Sequence, residues 1–275
     1  ADLILADFEL SDATSEDYMN LYDPHGTTLN DSLVAQVEGQ DGVEASGHLY
    51  SAQIDWQMDE GTLQNVAAFY TEDKLADWET YDAAGAQQLR DALETGDGSA
   101  ILYGLDGIPL DAITQEQYVL EGSFDAAEFA SGNYVLAVGP SLELGTEYPV
   151  LPTPSAGSTV ELNGRAYTVM AVVYPLNPVT QLTVQQGAGD KFNLSFIIPS
   201  EVFRQQWPDH TLRKLFLNVD DAHIDTVQAF LDEYRETTDP SLPVASRQTM
   251  AEQYESETQS SAVMGNAVSV VIALV

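Results

Sequence analysis

The segment LFLNVDDAHIDTVQAFLDEY, Leu215–Tyr234, changes from a strand pattern to a helix pattern. Its first residues alternate between apolar and other side chains, which is typical of a strand with one buried face. Asp220 or Asp221 is placed to cap the helix that follows. The apolar face of that helix, which we expect to reach Glu236, has residues at helical spacing: Ile224, Val227, Phe230, Leu231 and Tyr234. With a short strand at Leu242–Ala245, the pattern predicts a β-α-β unit over 212–246.

The beginning of the chain repeats this order of elements. A strand is predicted over Ala1–Leu10, a helix over Leu29–Glu38 that Gly39 ends, and an alternating strand over Val43–Met58. We therefore expect a β-α-β unit at each end of the sequence.

The clearest local signal lies in the middle of the chain, where Ser158–Leu162 and Ala166–Val173 both have strand patterns. The turn between them begins with Asn163-Gly164. Both residue types tolerate the positive φ of a tight primed turn, so this stretch predicts a β-hairpin.

The rest of the middle is predicted to be rich in strands. These are the other elements that we expect there: strands over Leu63–Tyr70, Ala100–Tyr103, Tyr134–Val138 and Phe192–Ile198, helical segments over Lys74–Leu93 and from an N-cap at Ser200 to Trp207, and a loop over Gly104–Pro109. Two β-α-β units around a β-rich middle indicate an α+β fold with two lobes. We expect one lobe from both chain ends, 1–62 plus 211–261, and an inserted mixed, β-rich subdomain, 63–210.

The last residues of the chain, Ala262–Val275, read AVMGNAVSVVIALV and contain no charged side chain. A membrane-spanning helix needs about 20 apolar residues, and this run is shorter. We expect 262–275 to be the start of a transmembrane helix, with a buried terminal helix or strand as the alternative. No Lys or Arg follows Arg247, as expected for a helix that enters a membrane from its outer side.

The composition excludes several classes of protein. The 275 residues include 44 Asp and Glu but only 9 Lys and Arg, a formal net charge of −35. Phosphate groups repel such a polyanion, which argues against nucleic-acid binding and against electrostatic attachment to anionic lipid. The chain has no Cys and therefore no disulfide, thiolate zinc site or Cys nucleophile. The dense acidity also fits a salt-adapted surface.

No set of residues in the sequence indicates catalysis. The histidines stand in separate elements without the spacing of a zinc-binding helix: His25, His48, His210 and His223. Nucleophile-elbow, P-loop and dinucleotide-binding motifs are absent, and Gln186–Gly189 lacks a third glycine. We therefore predict no catalytic residue, no cofactor-binding residue and no metal site.

Two weaker patterns have a structural and a functional interpretation. Glu16-Asp17 and Asp220-Asp221 could contribute to a Ca²⁺ site, but solvated acidic surface and helix caps explain them more simply. The tryptophans are expected in the core, with a peptide or lipid groove as the alternative: Trp56, Trp78 and Trp207.

The order of several phrases resembles the extracytoplasmic domain of MacB/FtsX-like ABC-transporter permeases, the MacB-like periplasmic core domain. The phrases that carry this resemblance are ADLILADFEL at Ala1–Leu10, YVLEGSFDAAEFASGNYVLAVG at Tyr118–Gly139, GSTVELNGRAYTVMAVV at Gly157–Val173, FIIPSEVFRQQWP at Phe196–Pro208, the segment at Leu215–Tyr234, and the run into AVMGNAVSVVIALV at Ala262–Val275. Ser123 stands where a basic residue is common in the family.

The resemblance implies a non-enzymatic transporter part at the cell membrane, on the extracytoplasmic side. In the family this domain lies between two membrane helices, and a separate cytoplasmic ABC ATPase subunit hydrolyses ATP. The implied role is mechanotransmission, which couples ATP-driven motion of the membrane helices to substrate export or to an outside partner. The implied partners are that ATPase, a second permease copy in a homodimer or permease pair, and an extracellular peptide, lipoprotein or cell-wall enzyme.

Two other functions are open on the sequence. One is a surface-anchored ligand- or peptide-binding module without a transport role. The other is a secreted hydrolase with a carboxylate pair, which would need neighbouring Asp and Glu residues with a raised pKa in a cleft.

Overall fold

The computed structural model describes residues 1–6, 29–58, 60–139, 153–174, 194–210 and 212–246. The helices in these residues are α1 Asp31–Glu38, α2 Glu60–Phe69, α3 Glu72–Glu79, α4 Ala83–Thr95, α5 Gly107–Ile113, α6 Ala126–Ala130, α7 Ser200–Gln206 and α8 Ile224–Thr237. The strands are β1 Leu3–Ala6, β2 Val43–Gln57, β3 Asp97–Leu105, β4 Val119–Gly122, β5 Tyr134–Val138, β6 Thr159–Leu162, β7 Arg165–Val173, β8 Leu194–Pro199, β9 Lys214–Val219 and β10 Val244–Ser246.

The mixture of helices with parallel and antiparallel strands confirms the predicted α+β class. The described residues form two compact units. The first unit contains residues 1–6, 29–46 and 214–246, which come from both ends of the sequence, and the second contains the described residues between 47 and 213.

Strand β1 lies at the centre of the first unit and pairs with β9 and β10, both antiparallel. Leu3 stands opposite Ser246 on one side and opposite Leu217 on the other. Asp2 adds two hydrogen bonds to β9, because its N–H donates to Leu217 (2.7 Å) and its carboxylate accepts from the N–H of Val219 (2.8 Å). The start of the chain is thus held firmly against β9.

The predicted β-α-β unit over 212–246 is confirmed, with a different helix start. Asp220 does not cap α8, because its Oδ1 accepts from the N–H of Ala222 and the helix begins only at Ile224. The apolar face of α8 is buried through Val227 and Leu231. The acidic pair therefore forms a turn before the helix.

The second unit contains a mixed sheet in the order β2-β3-β8-β5-β7-β4, and β6 pairs with β7 and with the end of β2. β3 is antiparallel to β2 and parallel to β8. Residues 100–102 of β3 are fully buried in succession. Such an uninterrupted buried run is expected of a strand that is covered on both faces.

The hairpin prediction is confirmed by β6, β7 and their turn. Asn163 has φ 49° and Gly164 has φ 72°, so both turn residues are in the left-handed region. The Asn-Gly pair suits this turn because both residue types tolerate that backbone conformation.

Two predictions of secondary structure in the second unit are wrong. Leu63–Tyr70 was expected to be a strand, but most of this stretch belongs to α2. The apolar residues Leu63, Val66 and Tyr70 recur at helical spacing, and Val66 is buried. The expected loop Gly104–Pro109 is instead the end of β3 and the start of α5. Pro109 fits there because the N–H groups of a helical first turn have no intrahelical partner.

Several predictions concern residues outside the described ones. These are the end of the first strand, His25, the Glu16-Asp17 pair, the Gln186–Gly189 loop and the terminal run 262–275. Among the helices that the structure describes, none has the length and apolar character needed to cross a bilayer.

Candidate functional site

A carboxylate in the second unit joins three elements of the fold. Oδ1 of Asp106 accepts from the backbone N–H of His48 (2.9 Å) and lies 2.7 Å from Nδ1 of the same histidine. Oδ2 accepts from the hydroxyl of Ser200. We call His48, Asp106 and Ser200 the Asp106 bracket.

Sheet register explains why these distant residues meet. The pairing of β2 with β3 sets Leu49 opposite Leu105, and the pairing of β3 with β8 sets Leu105 opposite Pro199. Each member of the bracket is the next residue in the chain to one of these three strand residues. Asp106 and Ser200 both follow the carboxyl ends of parallel strands, the edge where open sheets commonly place functional side chains.

The surroundings hold Asp106 in its ionised form. Burial would raise the pKa of Asp106, but hydrogen bonds from His48 and Ser200, with the charge of His48, outweigh it and hold that pKa below its usual range. The Asp106 side chain is 42% exposed and the His48 side chain 21% exposed, so water still screens the pair.

A cavity of about 570 Å³ opens beside the bracket. This volume lies within the range of small-molecule sites, which are typically about 300–1,000 Å³. Its wall includes the side chains of Tyr50, Leu110, Phe124 and Phe129, together with two charged residues of α7, Glu201 and Arg204. The site therefore combines an apolar wall with a few polar groups.

The bracket is not arranged as a serine-hydrolase triad. In such a triad histidine takes the serine proton while a carboxylate orients the histidine. Here the hydroxyl of Ser200 donates directly to Asp106. A carboxylate with a lowered pKa is a weak base, and the raised pKa that the hydrolase alternative needs is not found at Asp106. The geometry is that of a hydrogen-bonded junction.

The other sequence candidates do not join this site. His210 lies 3.1 Å from the carbonyl oxygen of Ser51 through Nδ1, and His223 lies 3.1 Å from Oδ2 of Asp220. In the part of the chain that the structure describes, no three His, Asp or Glu residues are grouped so as to hold a metal ion.

The tryptophans, for which a peptide or lipid groove was the alternative to a core position, pack against neighbouring rings or within the sheet. Trp207 stacks on Phe203 with ring centres 5.0 Å apart, and Trp78 lies 6.3 Å from Tyr70. Trp56 is buried in β2. The expected core position is confirmed for Trp56, whereas Trp78 and Trp207 are only half-buried.

Sequence reasoning assigned no role to Asp106 and predicted an N-cap role for Ser200 that is wrong. Pro199 occupies the N-cap position of α7, and the Ser200 hydroxyl turns to Asp106. A usable signal was present, because each residue directly follows a buried apolar run, AILYGL or SFIIP.

No protein-family model matches the chain, and no curated protein matches it in sequence. Among solved structures, it is similar to the extracellular domain of the ABC-type transporter YknZ from Gram-positive bacteria. That match has 13% identity and a TM-score of 0.43, and it covers 88% of this chain and 99% of the other.

The chain is also similar to the periplasmic region of MacB from Actinobacillus actinomycetemcomitans. Here the identity is 12% and the TM-score is 0.48, with 92% of this chain and 91% of the other covered. The first of these structures is an extracellular domain of an ABC-type transporter, and the second is a periplasmic region.

Proposed function

We propose that this chain is the extracytoplasmic domain of an ABC-transporter permease of the MacB/FtsX-like kind, held at the cell membrane and without enzymatic activity of its own. Its role is to pass ATP-driven motion of membrane helices to substrate export or to a partner outside the cell. The energy comes from a cytoplasmic ABC ATPase, and the working permease is a homodimer or permease pair.

The pairing of β1 with β10 is the observation that carries this proposal. Leu3 at the start of β1 stands opposite Ser246 at the end of β10, so both strands reach the same edge of the first unit. A displacement of segments attached at this edge would move both strands together. Because Asp2 is hydrogen-bonded to β9, the displacement would also reach α8 through the β9–α8 connection.

The charge distribution fits an outer location. No Lys or Arg follows Arg247 at the flank of the proposed membrane helix, and basic residues favour the cytoplasmic flanks of membrane helices. In the proposed domain layout, 1–62 plus 211–261 form the porter-like lobe, 63–210 the inserted subdomain, and 262–275 the start of a membrane helix.

Thiol labelling of the full-length protein tests the location. The chain has no Cys, and Tyr81 is 75% exposed, so Tyr81→Cys introduces one accessible thiol. A membrane-impermeant maleimide should label it in intact cells. Leu102→Cys, at a fully buried position, is the matched control and should label only after denaturation. Labelling of Tyr81→Cys only after lysis would place the domain inside and overturn the proposal.

A distance measurement tests the coupling. The pair Tyr81→Cys and Ala229→Cys places one exposed label in each unit of the full-length protein, reconstituted with its ATPase. ATP should change the distribution of label-to-label distances. With an ATPase variant that cannot hydrolyse ATP, the repeated change between distances should be lost. Asp2→Asn should weaken the response and Asp41→Asn should leave it intact. An unchanged distribution would contradict mechanical transmission.

The cavity beside the Asp106 bracket favours one second candidate, a surface-anchored ligand- or peptide-binding module without a transport role. An extracellular peptide, lipoprotein or cell-wall enzyme would then be the partner. This candidate predicts ligand binding with no ATP-dependent change of distance, so the same labelled protein separates the two functions.

A further inference from the structure

Two opposite charges face the cavity from one short helix. Glu201 and Arg204 are three residues apart on α7, which places them on the same side of the helix, and both line the cavity. Both side chains are exposed to solvent. Despite the favourable spacing, the structure shows no ion pair between them and no hydrogen bond from either side chain to a described residue.

Arg204 has no carboxylate partner among the described residues, although the protein is strongly acidic. Arg90, for comparison, makes ion pairs of 2.9 Å with both Glu72 and Glu79. The guanidinium of Arg204 instead lies 6.0 Å from the centre of the Tyr50 ring, at the edge of cation–π range. This contact leaves the planar donor edge of the guanidinium available for a carboxylate.

Beside these two charges and the Asp106 bracket, the rest of the cavity wall is mainly apolar. Phe129 is 2% exposed and packs edge-on against Phe124 with ring centres 5.5 Å apart. Both oxygens of Asp106 already accept hydrogen bonds within the bracket. Glu201 and Arg204 are thus the charged side chains of the wall that have no hydrogen-bond or ion-pair partner among the described residues, and they lie beside a surface that favours an aromatic or long aliphatic group.

We propose that this cavity binds a small zwitterion with an apolar body, the chemistry of a free aromatic or aliphatic α-amino acid. The carboxylate of the ligand would bind the guanidinium of Arg204, and its ammonium group would bind the carboxylate of Glu201. The side chain would lie against Phe124 and Phe129. Charge complementarity selects this occupant, because a ligand with only one charge leaves one residue of the pair unused.

Calorimetric titration of the 275-residue chain with L-phenylalanine and three cut-down analogues tests the proposal. Phenethylamine lacks the carboxylate, 3-phenylpropionate lacks the ammonium group and glycine lacks the apolar body. Because a hydrogen bond to a charged group contributes about 1.5–3 kcal/mol, each analogue that lacks a charge should bind about 10- to 100-fold more weakly than phenylalanine. Glycine should show no saturable binding.

Variants assign the roles of the two charges. Arg204→Gln should remove the preference for phenylalanine over phenethylamine, and Glu201→Gln should remove the preference over 3-phenylpropionate. Glu161→Gln removes an exposed carboxylate from β6 and should change neither preference. All three positions are exposed, so near-ultraviolet circular dichroism should match that of the parent chain.

Two results would overturn the proposal. One is no saturable binding of phenylalanine or leucine at millimolar concentration to a chain with an intact near-ultraviolet spectrum. The other is equal affinity for phenylalanine and 3-phenylpropionate, which would show that the ammonium group is not recognised. Neither result bears on membrane location or ATP-dependent motion, which the labelling experiments measure separately.

Discussion

Asp106 shows how one carboxylate can link parts of the chain that are far apart in sequence. It accepts hydrogen bonds from His48 on β2 and from Ser200 at the start of α7, while it occupies the N-cap position of α5. Loss of any partner would leave a partly buried polar group less well satisfied, which costs free energy.

The lowered pKa of Asp106 makes its contribution to stability depend on pH. A group whose pKa is lower in the folded state stabilises the fold above its unfolded pKa, about 3.9 for Asp. That contribution is lost as the pH falls through the folded value. Asp106→Asn should therefore lower the free energy of unfolding by about 1 kcal/mol near neutral pH, a modest figure because the side chain is 42% exposed.

Urea unfolding followed across the acidic range measures this effect as the difference between the parent chain and the variant. The difference should shrink as the pH falls below about 4. Asp111→Asn is the matched control, since it removes an exposed carboxylate from α5 and should show almost no difference at any pH. A difference that grew on acidification would contradict the assigned sign.

Among the elements, the packing of α7 on β3 depends on a glycine. A Cβ added at Gly104 would lie 2.5 Å from Cβ of Phe203, closer than the two atoms can approach. Phe203 is fully buried and stacks between Tyr50 and Trp207, with ring centres 5.7 and 5.0 Å away. The helix and the strand can be this close only because β3 lacks a side chain at this point.

Gly104→Ala should therefore destabilise the second unit by about 1–3 kcal/mol through overpacking. The measurement is the midpoint of chemical unfolding. Gly98→Ala in the same strand is the control, because its added Cβ would be 3.3 Å from Trp56 and needs only a small adjustment. Equal stability of the two variants would show that α7 moves away freely.

The hairpin turn supports a prediction at the same scale. Gly164 has φ 72°, a conformation that costs an L-residue about 1–2 kcal/mol. Gly164→Ala should lower the free energy of unfolding by about that amount, and nothing lies within 4 Å of the added Cβ, so the penalty comes from the backbone alone. Asn163→Gly should be neutral or slightly stabilising. The prediction is wrong if Gly164→Ala unfolds at the parent urea concentration.

At the scale of the whole molecule, the net charge of −35 opposes compaction. Like charges repel each other across the surface, and salt screens them within a Debye length of about 10 Å at 0.1 M and 3 Å at 1 M. We therefore expect the thermal midpoint to rise as NaCl is increased over this range. A fall would mean that attractive ion pairs, such as those of Arg90 with Glu72 and Glu79, outweigh the repulsion.

The same measurement with a chain of lower charge provides the control. Replacement of exposed Asp and Glu by Asn and Gln at positions that make no ion pair with a described residue, such as Asp111 and Glu161, should flatten the salt dependence in proportion to the charge removed. If the thermal midpoint depended on salt as steeply as before, simple charge repulsion would not explain the effect. A salt-adapted surface would then be the better explanation.

Local patterns in the sequence were enough to predict the α+β class, the β-α-β units at both ends and the hairpin at Asn163-Gly164, because periodicity and turn chemistry act over a few neighbouring residues. They failed for α2, where a short apolar run fits a strand and a helix almost equally. The domain boundaries of the sequence analysis stay a prediction.

Only the tertiary structure brought together His48, Asp106 and Ser200, which are up to 152 positions apart (200 − 48) in the chain. Their meeting depends on the pairing of β3 with β2 and with β8, a choice of partner and register that no local pattern specifies. The same pairing places α7, with Glu201 and Arg204, at the cavity. The apolar runs before Asp106 and Ser200 mark both residues as strand ends, but only the pairing of the strands shows that these ends meet.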